Sequence, residues 1–208
     1  MTSDQQEQLI KVPEHQDGVR FGRTLLRVNV GNPVDQPVEA LVCPANRRGV
    51  MGVGAAGAIR LAGGAEIERE IMQLAPLTMG SAHTTSSGVL AARGIRYVIH
   101  GVVSNELGSP SREDVVRRAT VAALQQADRI RVKSVAFPAL GAGLGPDKLT
   151  SQQVSLVMIE EIVAHVRRFT SRIDMIVLLC RDQREARTTH DALLQARVLW
   201  LGIRGGIT

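Results

Sequence analysis

Aromatic side chains are scarce, with one tryptophan, one tyrosine and three phenylalanines in 208 residues. Single-stranded nucleic acid is held largely by stacking bases on aromatic faces, so this scarcity argues against a dedicated single-strand binder. Cysteine is almost missing too. Cys43 and Cys180 stand in the apolar runs ALVCPA and VLLCRD, without metal-ligand spacing, and read as free thiols. No cluster of ligating residues has the spacing of a metal site, so neither metal nor cofactor is expected. No run approaches the roughly 18 apolar residues of a membrane span. The opening MTSDQQEQLI lacks a basic-then-apolar signal pattern. These absences lead to the expectation of a soluble, cytoplasmic protein with no membrane partner. Internal repeats and low-complexity linkers are also lacking, which points to one domain.

What is present is ordinary globular composition, 44% hydrophobic and 22% charged, with a net charge of +5. The basic excess is mostly arginine, scattered as in Arg47-Arg48, Arg117-Arg118 and Arg167-Arg168. Scattered charge reads as solubility, and RNA is the least favoured partner. Strand-like runs fall at 24–30, 39–44, 95–103, 133–139 and 173–180, several continuously apolar, as in strands covered on both faces. Helical patterns fall between them. Val116, Ala119, Ala123, Ala127 and Ile130 mark 112–130, with Ser111 and Asp114 as a cap signal. Leu149, Leu156, Ile159, Val163 and Val166 mark 149–168, and a third helix covers 183–196. Shorter helices are expected near Ala55 and over 65–74. The alternation predicts a three-layer α/β domain over 24–195. Residues 1–23 read as an N-terminal extension, and 196–208 as a C-terminal one whose ARVLWLGI resembles an added strand.

The stretch GVMGVGAAGAIRLAGG, 49–64, contains a literal G-x-G-x-x-G at Gly52, Gly54 and Gly57. A dinucleotide fingerprint needs its first glycine directly after a strand and an acid about 20 positions on. Here the strand ends near Ala45, and Leu77 and Thr78 stand where the acid should be. That reading is rejected. A second loop, FPALGAGLGP at 137–146, places Gly141, Gly143 and Gly145 at the carboxyl end of a buried strand, again before a helix. Either loop alone is as well explained as a tight turn. As a pair, each leading into a helix, they suit a diphosphate cradled by backbone N–H groups.

With both loops in hand, the sequence resembles the macrodomain family of ADP-ribose-binding modules. The family pattern runs G-D-I-T, D-A-I-V-N-A-A-N, a glycine loop with an A-I-H-R-A-A-G helix, Y-V-I-H, and F-P-A-(I/L)-(S/G)-T-G. This chain reads GNPV (31–34), EALVCPAN (39–46), GVGAAGAIRLAGG (52–64), YVIH (97–100) and FPALGAGLG (137–145). The spacings from Gly31 to Asn46 and from Asn46 to Gly57 fit without gaps. The resemblance implies a mixed, roughly six-stranded sheet between helices, with an ADP-ribose cleft at its crest. It implies that Gly52, Val53, Gly54 and Ala55 grip the diphosphate and distal ribose, together with Gly141, Ala142, Gly143, Leu144 and Gly145. Asn46 would lie near the distal ribose, and Asn32 and Pro33 near the base.

Several positions depart from that pattern. The family aspartate that accepts from the adenine amino group is replaced by Asn32, and an isoleucine N–H that bonds the purine is replaced by Pro33, which has none. Base recognition is expected to loosen by about 1–3 kcal/mol. The aspartate of hydrolytic members is replaced by Ala56, and the aromatic of the second loop by Gly145. An amide such as Asn46 is no general base. The leading expectation is therefore a binding module for ADP-ribose or a related nucleotide diphosphate, with weak or absent hydrolysis, acting on free ligand or ADP-ribosylated protein. The rival is an ADP-ribosyl hydrolase or O-acetyl-ADP-ribose deacetylase using Asn46 to position water or ribose. A third reading is a module for a different nucleotide or RNA. Asp147 reads as a helix-start residue, His100 as a core histidine, and His83 as a loop residue. Arg47 and Arg48 read as solvent-facing charge that could also attract the diphosphate.

Overall fold

The computed structural model describes residues 18–142, 147–168 and 171–204. Among the described residues the strands are β1 Val19–Phe21, β2 Thr24–Val30, β3 Ala40–Asn46, β4 Ala82–Ser86, β5 Tyr97–Ser104, β6 Ser134–Pro138 and β7 Met175–Cys180. The helices are α1 Gly54–Gly63, α2 Ala65–Met72, α3 Glu113–Arg129, α4 Ser151–Arg168 and α5 Gln183–Arg204. One seven-stranded sheet has the order β1-β2-β7-β6-β3-β5-β4. Its five inner strands run parallel, and β1 and β4 close the edges antiparallel.

The apolar runs are explained by the two faces they serve. In β3, Ala40 and Val42 enter one core while Leu41, Cys43 and Ala45 enter the other. In β7, Ile176 and Leu178 alternate with Val177 and Leu179 in the same way. Helices α3, α4 and α5 cover the first face, and α1 and α2 cover the second. The three-layer α/β architecture is therefore built as its sequence predicts.

Several expectations need correction. The mixed sheet of roughly six strands is present and has seven; the strand outside the expected domain is β1, only three residues long, which turns straight back onto β2, Phe21 pairing with Thr24. The segment SAHTTSS is not a loop. It forms β4, whose polar residues suit an edge strand, with His83 paired against His100 of β5. The buried face of α4 comprises Val154, Val157, Met158, Ile159, Ile162 and His165, while Leu156 is exposed. Leu149 lies before that helix and set the wrong phase. Ser111 is not the cap of α3. Arg112 occupies that position without a side-chain cap bond. Ser111 is instead buried beneath the second glycine loop, where a Cβ on Gly141 would come within 2.6 Å of its own Cβ.

The tail ARVLWLGI is helical, and α5 runs through it to Arg204. Ala186, Thr189, Leu193, Ala196 and Trp200 recur every three or four residues and face the core, whereas Val198, Leu199 and Leu201 are exposed. A strand would have sorted these side chains by twos. Trp200 anchors the helix: its ring meets Phe21 of β1 edge-on at 5.6 Å, and the Arg167 guanidinium lies 4.8 Å from its centroid. We predict that Trp200→Ala destabilises the protein by about 3–5 kcal/mol in urea denaturation. A loss below about 1 kcal/mol would contradict this anchoring role.

His100 is fully buried in β5, as a core histidine should be, with Nε2 2.9 Å from Thr85 Oγ1. Burial, helped by His83, lowers its pKa from the ordinary 6.5 to about 3. As the pH falls below 6.5, the unfolded chain takes up a proton at His100 that the folded chain does not accept until about pH 3. Its contribution to stability is thus intact above 6.5 and declines as the pH drops towards 3. The decline has a slope of at most about 1.4 kcal/mol per pH unit. We predict that stability measured by denaturation at stepwise lower pH falls less steeply in His100→Gln than in the parent. Parallel curves would refute the assignment.

Candidate functional site

All five parallel strands end at one edge of the sheet, where α/β folds place their ligands. The residues that follow these ends surround a cavity of about 460 Å³. Gly31, Asn32 and Pro33 enter it from β2, and Asn46 and Val53 to Ala56 from β3. Ser104 ends β5 and Leu107 follows it, Gly141 and Ala142 follow β6, and Cys180 and Arg181 come from β7.

The segment joining β3 to α1 is held by hydrogen bonds up to Met51. Arg47 N–H donates to Ser104 O at 3.0 Å, and Gly49 N–H to Asn46 O at 3.0 Å. The buried Asn46 side chain does the rest: Oδ1 accepts from the N–H groups of Arg48 (3.0 Å) and Val50 (3.3 Å), and Nδ2 donates to Val50 O (2.8 Å). Met51 N–H donates to Glu68 Oε1 at 2.7 Å, while Glu68 Oε2 accepts from Arg60 Nε at 2.5 Å. Asn46 is therefore a loop organiser whose carbonyl oxygen is already engaged.

Beyond Met51 the pattern changes. Helix α1 has Val53 as its N-cap, with no side-chain cap bond. The N–H groups of Gly54, Ala55 and Ala56 have no acceptor within the helix, and all three residues line the cavity. Gly54 has φ +60°, and a Cβ there would meet nothing within 4 Å. Any side chain would strain the backbone and project into open space. Gly57 serves packing instead, because its Cβ would lie 2.9 Å from Gly52 O. The G-x-G-x-x-G is thus a helix start that keeps its amides bare, and the helix dipole adds positive potential there.

The walls carry few charges. Lys148, Arg181 and Glu185 are the ionisable residues that line the cavity beside Cys180. Glu185 Oε2 accepts from Arg181 N–H at 3.0 Å, and Oε1 accepts from Arg181 Nε at 2.8 Å and from Nη2. Burial alone would raise the Glu185 carboxyl, but hydrogen bonds from Arg181 and Ser151 outweigh it and hold the pKa below the ordinary value. Burial pushes the Cys180 thiol up, which disfavours its thiolate form. Ala56 lines the cavity with a methyl group that can neither donate nor accept a proton. The arrangement suits an anion bound by backbone amides, between largely apolar walls.

A model of the Macro domain family matches residues 42–151. A protein of Aquifex aeolicus is 38% identical over 159 residues, covering 76% of this chain and 91% of its own. The chain belongs to the Macro domain family. An ADP-ribose glycohydrolase of Archaeoglobus fulgidus is 28% identical over 180 residues, 80% of this chain and 91% of that one. Among solved structures, a mutant Oceanobacillus iheyensis macrodomain with ADPR superposes with a TM-score of 0.74 at 19% identity, covering 86% of this chain and 96% of that one. The last likeness establishes the fold.

The macrodomain cleft brings together Asn32, Pro33, Asn46, Val53, Gly54, Ala55, Gly141 and Ala142. Gly52 sits on the first loop against Leu107, where its Cβ would lie 2.6 Å from Leu107 Cδ2, and is not among the lining residues. Gly143, Leu144 and Gly145 lie outside the described residues. Arg47 and Arg48 line a separate depression with Met72, Pro76 and Glu106. His83 and His100 stand in the sheet away from the cleft, and Asp147 is exposed and not part of its wall. Sequence reasoning missed Ser104, Leu107, Lys148, Arg181 and Glu185. The signal available was position, since each follows the carboxyl end of a parallel strand or starts the next helix.

We predict that Asn46→Ala lowers stability by about 1–3 kcal/mol, because two loop amides and one carbonyl lose their partner. Urea denaturation checks this, and an unchanged midpoint would show that the loop holds without that side chain.

Proposed function

We propose that this macrodomain is a binding module for ADP-ribose or a related nucleotide diphosphate, free or attached to a protein, working in the cytoplasm. The observation that carries the reading is the uncapped start of α1. Three backbone N–H groups, of Gly54, Ala55 and Ala56, face a cavity and have no partner within the protein's helix. Buried or cleft-lining donors of this kind are normally satisfied, so a ligand rich in acceptor oxygens is the natural complement. A diphosphate supplies it. Lys148 adds a cation at the wall, and the apolar surfaces of Pro33 and Leu179 suit a heterocycle.

The family context agrees: one solved macrodomain of this fold contains ADPR, and one relative is called an ADP-ribose glycohydrolase. That name favours the hydrolytic reading for the relative. In this chain Ala56 supplies no proton acceptor, the Asn46 carbonyl oxygen already serves two amides, and Glu185 is engaged by Arg181. Among these described residues, efficient general-base chemistry has no free carboxylate or imidazole to use. Binding with little or no turnover is the consistent reading.

Isothermal titration with ADP-ribose tests it, with a chromatographic time course run alongside for turnover. We predict saturable binding that Gly54→Glu weakens at least about 100-fold, because a carboxylate then occupies the anion site. Gly94→Glu is the control. It carries the same charge at another open, positive-φ glycine (φ +87°) outside the cleft, and should bind like the parent. Equal loss in both variants would assign the effect to strain, and no binding by the parent would overturn the reading.

A further inference from the structure

The depression that holds Arg47 and Arg48 shares a wall with the cleft. Ser104, Leu107 and Gly108 line the cleft, and the intervening Asn105 and Glu106 line the depression. One side chain also ties the two together: Asn46 lines the cleft, and its Oδ1 accepts from Arg48 N–H at 3.0 Å. The depression is open, with a volume of about 750 Å³. Arg47 is held in place on its edge. Its N–H donates to Ser104 O at 3.0 Å, its carbonyl accepts from Leu77 N–H at 2.8 Å, and its Nε donates to Leu77 O at 3.2 Å.

Both arginines are exposed. Among the described residues neither has a carboxylate partner, whereas Arg60, Arg69, Arg117 and Arg181 do. Glu106 is the carboxylate that lines this surface, so the cations outnumber it by two to one. Most of the remaining lining is apolar: Met72 is 46% exposed, and Ala75 and Pro76 are exposed as well. A concave surface with two cations beside apolar side chains complements a peptide that carries carboxylates and an apolar side chain. Nucleic acid fits it less well. No aromatic ring is among the described lining residues, and a phosphate backbone would face Glu106 and leave Met72 and Pro76 unmatched.

Position identifies the peptide. The heterocycle wall, Pro33 and Leu179, lies at the ends of β2 and β7, the bare amides follow β3, and Asn105 and Glu106 follow β5. In the order β2-β7-β6-β3-β5, the first and last of these strand ends stand about 19 Å apart, four spacings of about 4.8 Å. A ligand whose base rests at β2 and whose diphosphate is gripped beyond β3 directs its terminal sugar towards β5. ADP-ribose is joined to proteins through that sugar, so the attached chain leaves the cleft beside Arg47 and Arg48. We infer that this depression is a docking surface for an acidic, partly apolar segment of the protein that carries the ADP-ribose. The inference rests on the nucleotide-diphosphate reading of the cleft.

The test is titration of the full chain with two synthetic peptides, each carrying ADP-ribose on the same serine. One has glutamates and leucine beside that serine, and the other has glutamines in place of the glutamates. The parent should bind the glutamate peptide about fivefold more tightly at low ionic strength, and added salt should shrink the difference. Arg48→Glu should abolish or reverse the preference, and Arg48→Lys should keep it. Free ADP-ribose should bind all three proteins alike. The Arg48 side chain is exposed, so neither change threatens folding, and a melting curve checks that. Equal affinity of the parent for the two peptides, or a preference unmoved in Arg48→Glu, overturns the inference alone. Loss of free ADP-ribose binding in Arg48→Glu would assign the arginine to the diphosphate and overturn it too. So would displacement of the glutamate peptide by oligothymidylate at lower concentration than by oligoglutamate, which would make this a nucleic-acid surface. Failure of free ADP-ribose and of both peptides to bind the parent overturns the diphosphate reading and this inference with it.

Discussion

The structure depends on one constraint, the way the chain leaves β3 and enters α1. A helix start normally satisfies its first amides with a side-chain oxygen. Here Val53 stands at the cap position and supplies none. The preceding residues are held tightly by Asn46, whose single side chain bonds three main-chain groups of the loop. Glu68 reaches back from α2 to Met51 N–H. Rigid support therefore surrounds a short stretch that is left bare, and the rest of the sheet brings four other strand ends to face it. Stability and function are separated within a few residues.

The same logic explains what the site lacks. Among the described residues, several that could act as acids or bases lie elsewhere or are engaged. His100 is buried in the sheet and hard to protonate, and Cys43 is buried with its pKa pushed up to about 12. His165 is bonded to Asp128, whose Oδ1 also accepts from Ser171 Oγ and Arg172 N–H, clamping the approach to β7. These polar groups serve the fold, which leaves the cleft with donors and apolar walls.

Much of this was legible in the residues. The inner strands were visible as short runs rich in apolar residues, several of them continuous because, like β3 and β7, they serve two cores, and the first glycine loop because its spacing to Asn46 follows the family pattern. The edges were harder. β1 is too short to show a period, and β4 is a polar edge strand whose alternation of Ala82 and Thr85 is weak. The fate of ARVLWLGI was decided by contacts far off in sequence, since Trp200 is recognisable as the end of a helical stripe only when traced back to Ala186. The site was read through its glycines, which announce backbone exposure. Arg181 and Glu185 stayed hidden because an i,i+4 ion pair looks like ordinary helix surface until the fold turns it towards the cleft.

The most direct test of the central claim follows the amides themselves. In a nitrogen–proton correlation spectrum titrated with ADP-ribose, the account predicts that the resonances of Gly54, Ala55 and Ala56 move furthest, and downfield, as their N–H groups gain acceptors. Shifts centred instead on the depression beside Arg47 and Arg48, with the α1 amides unmoved, would contradict it.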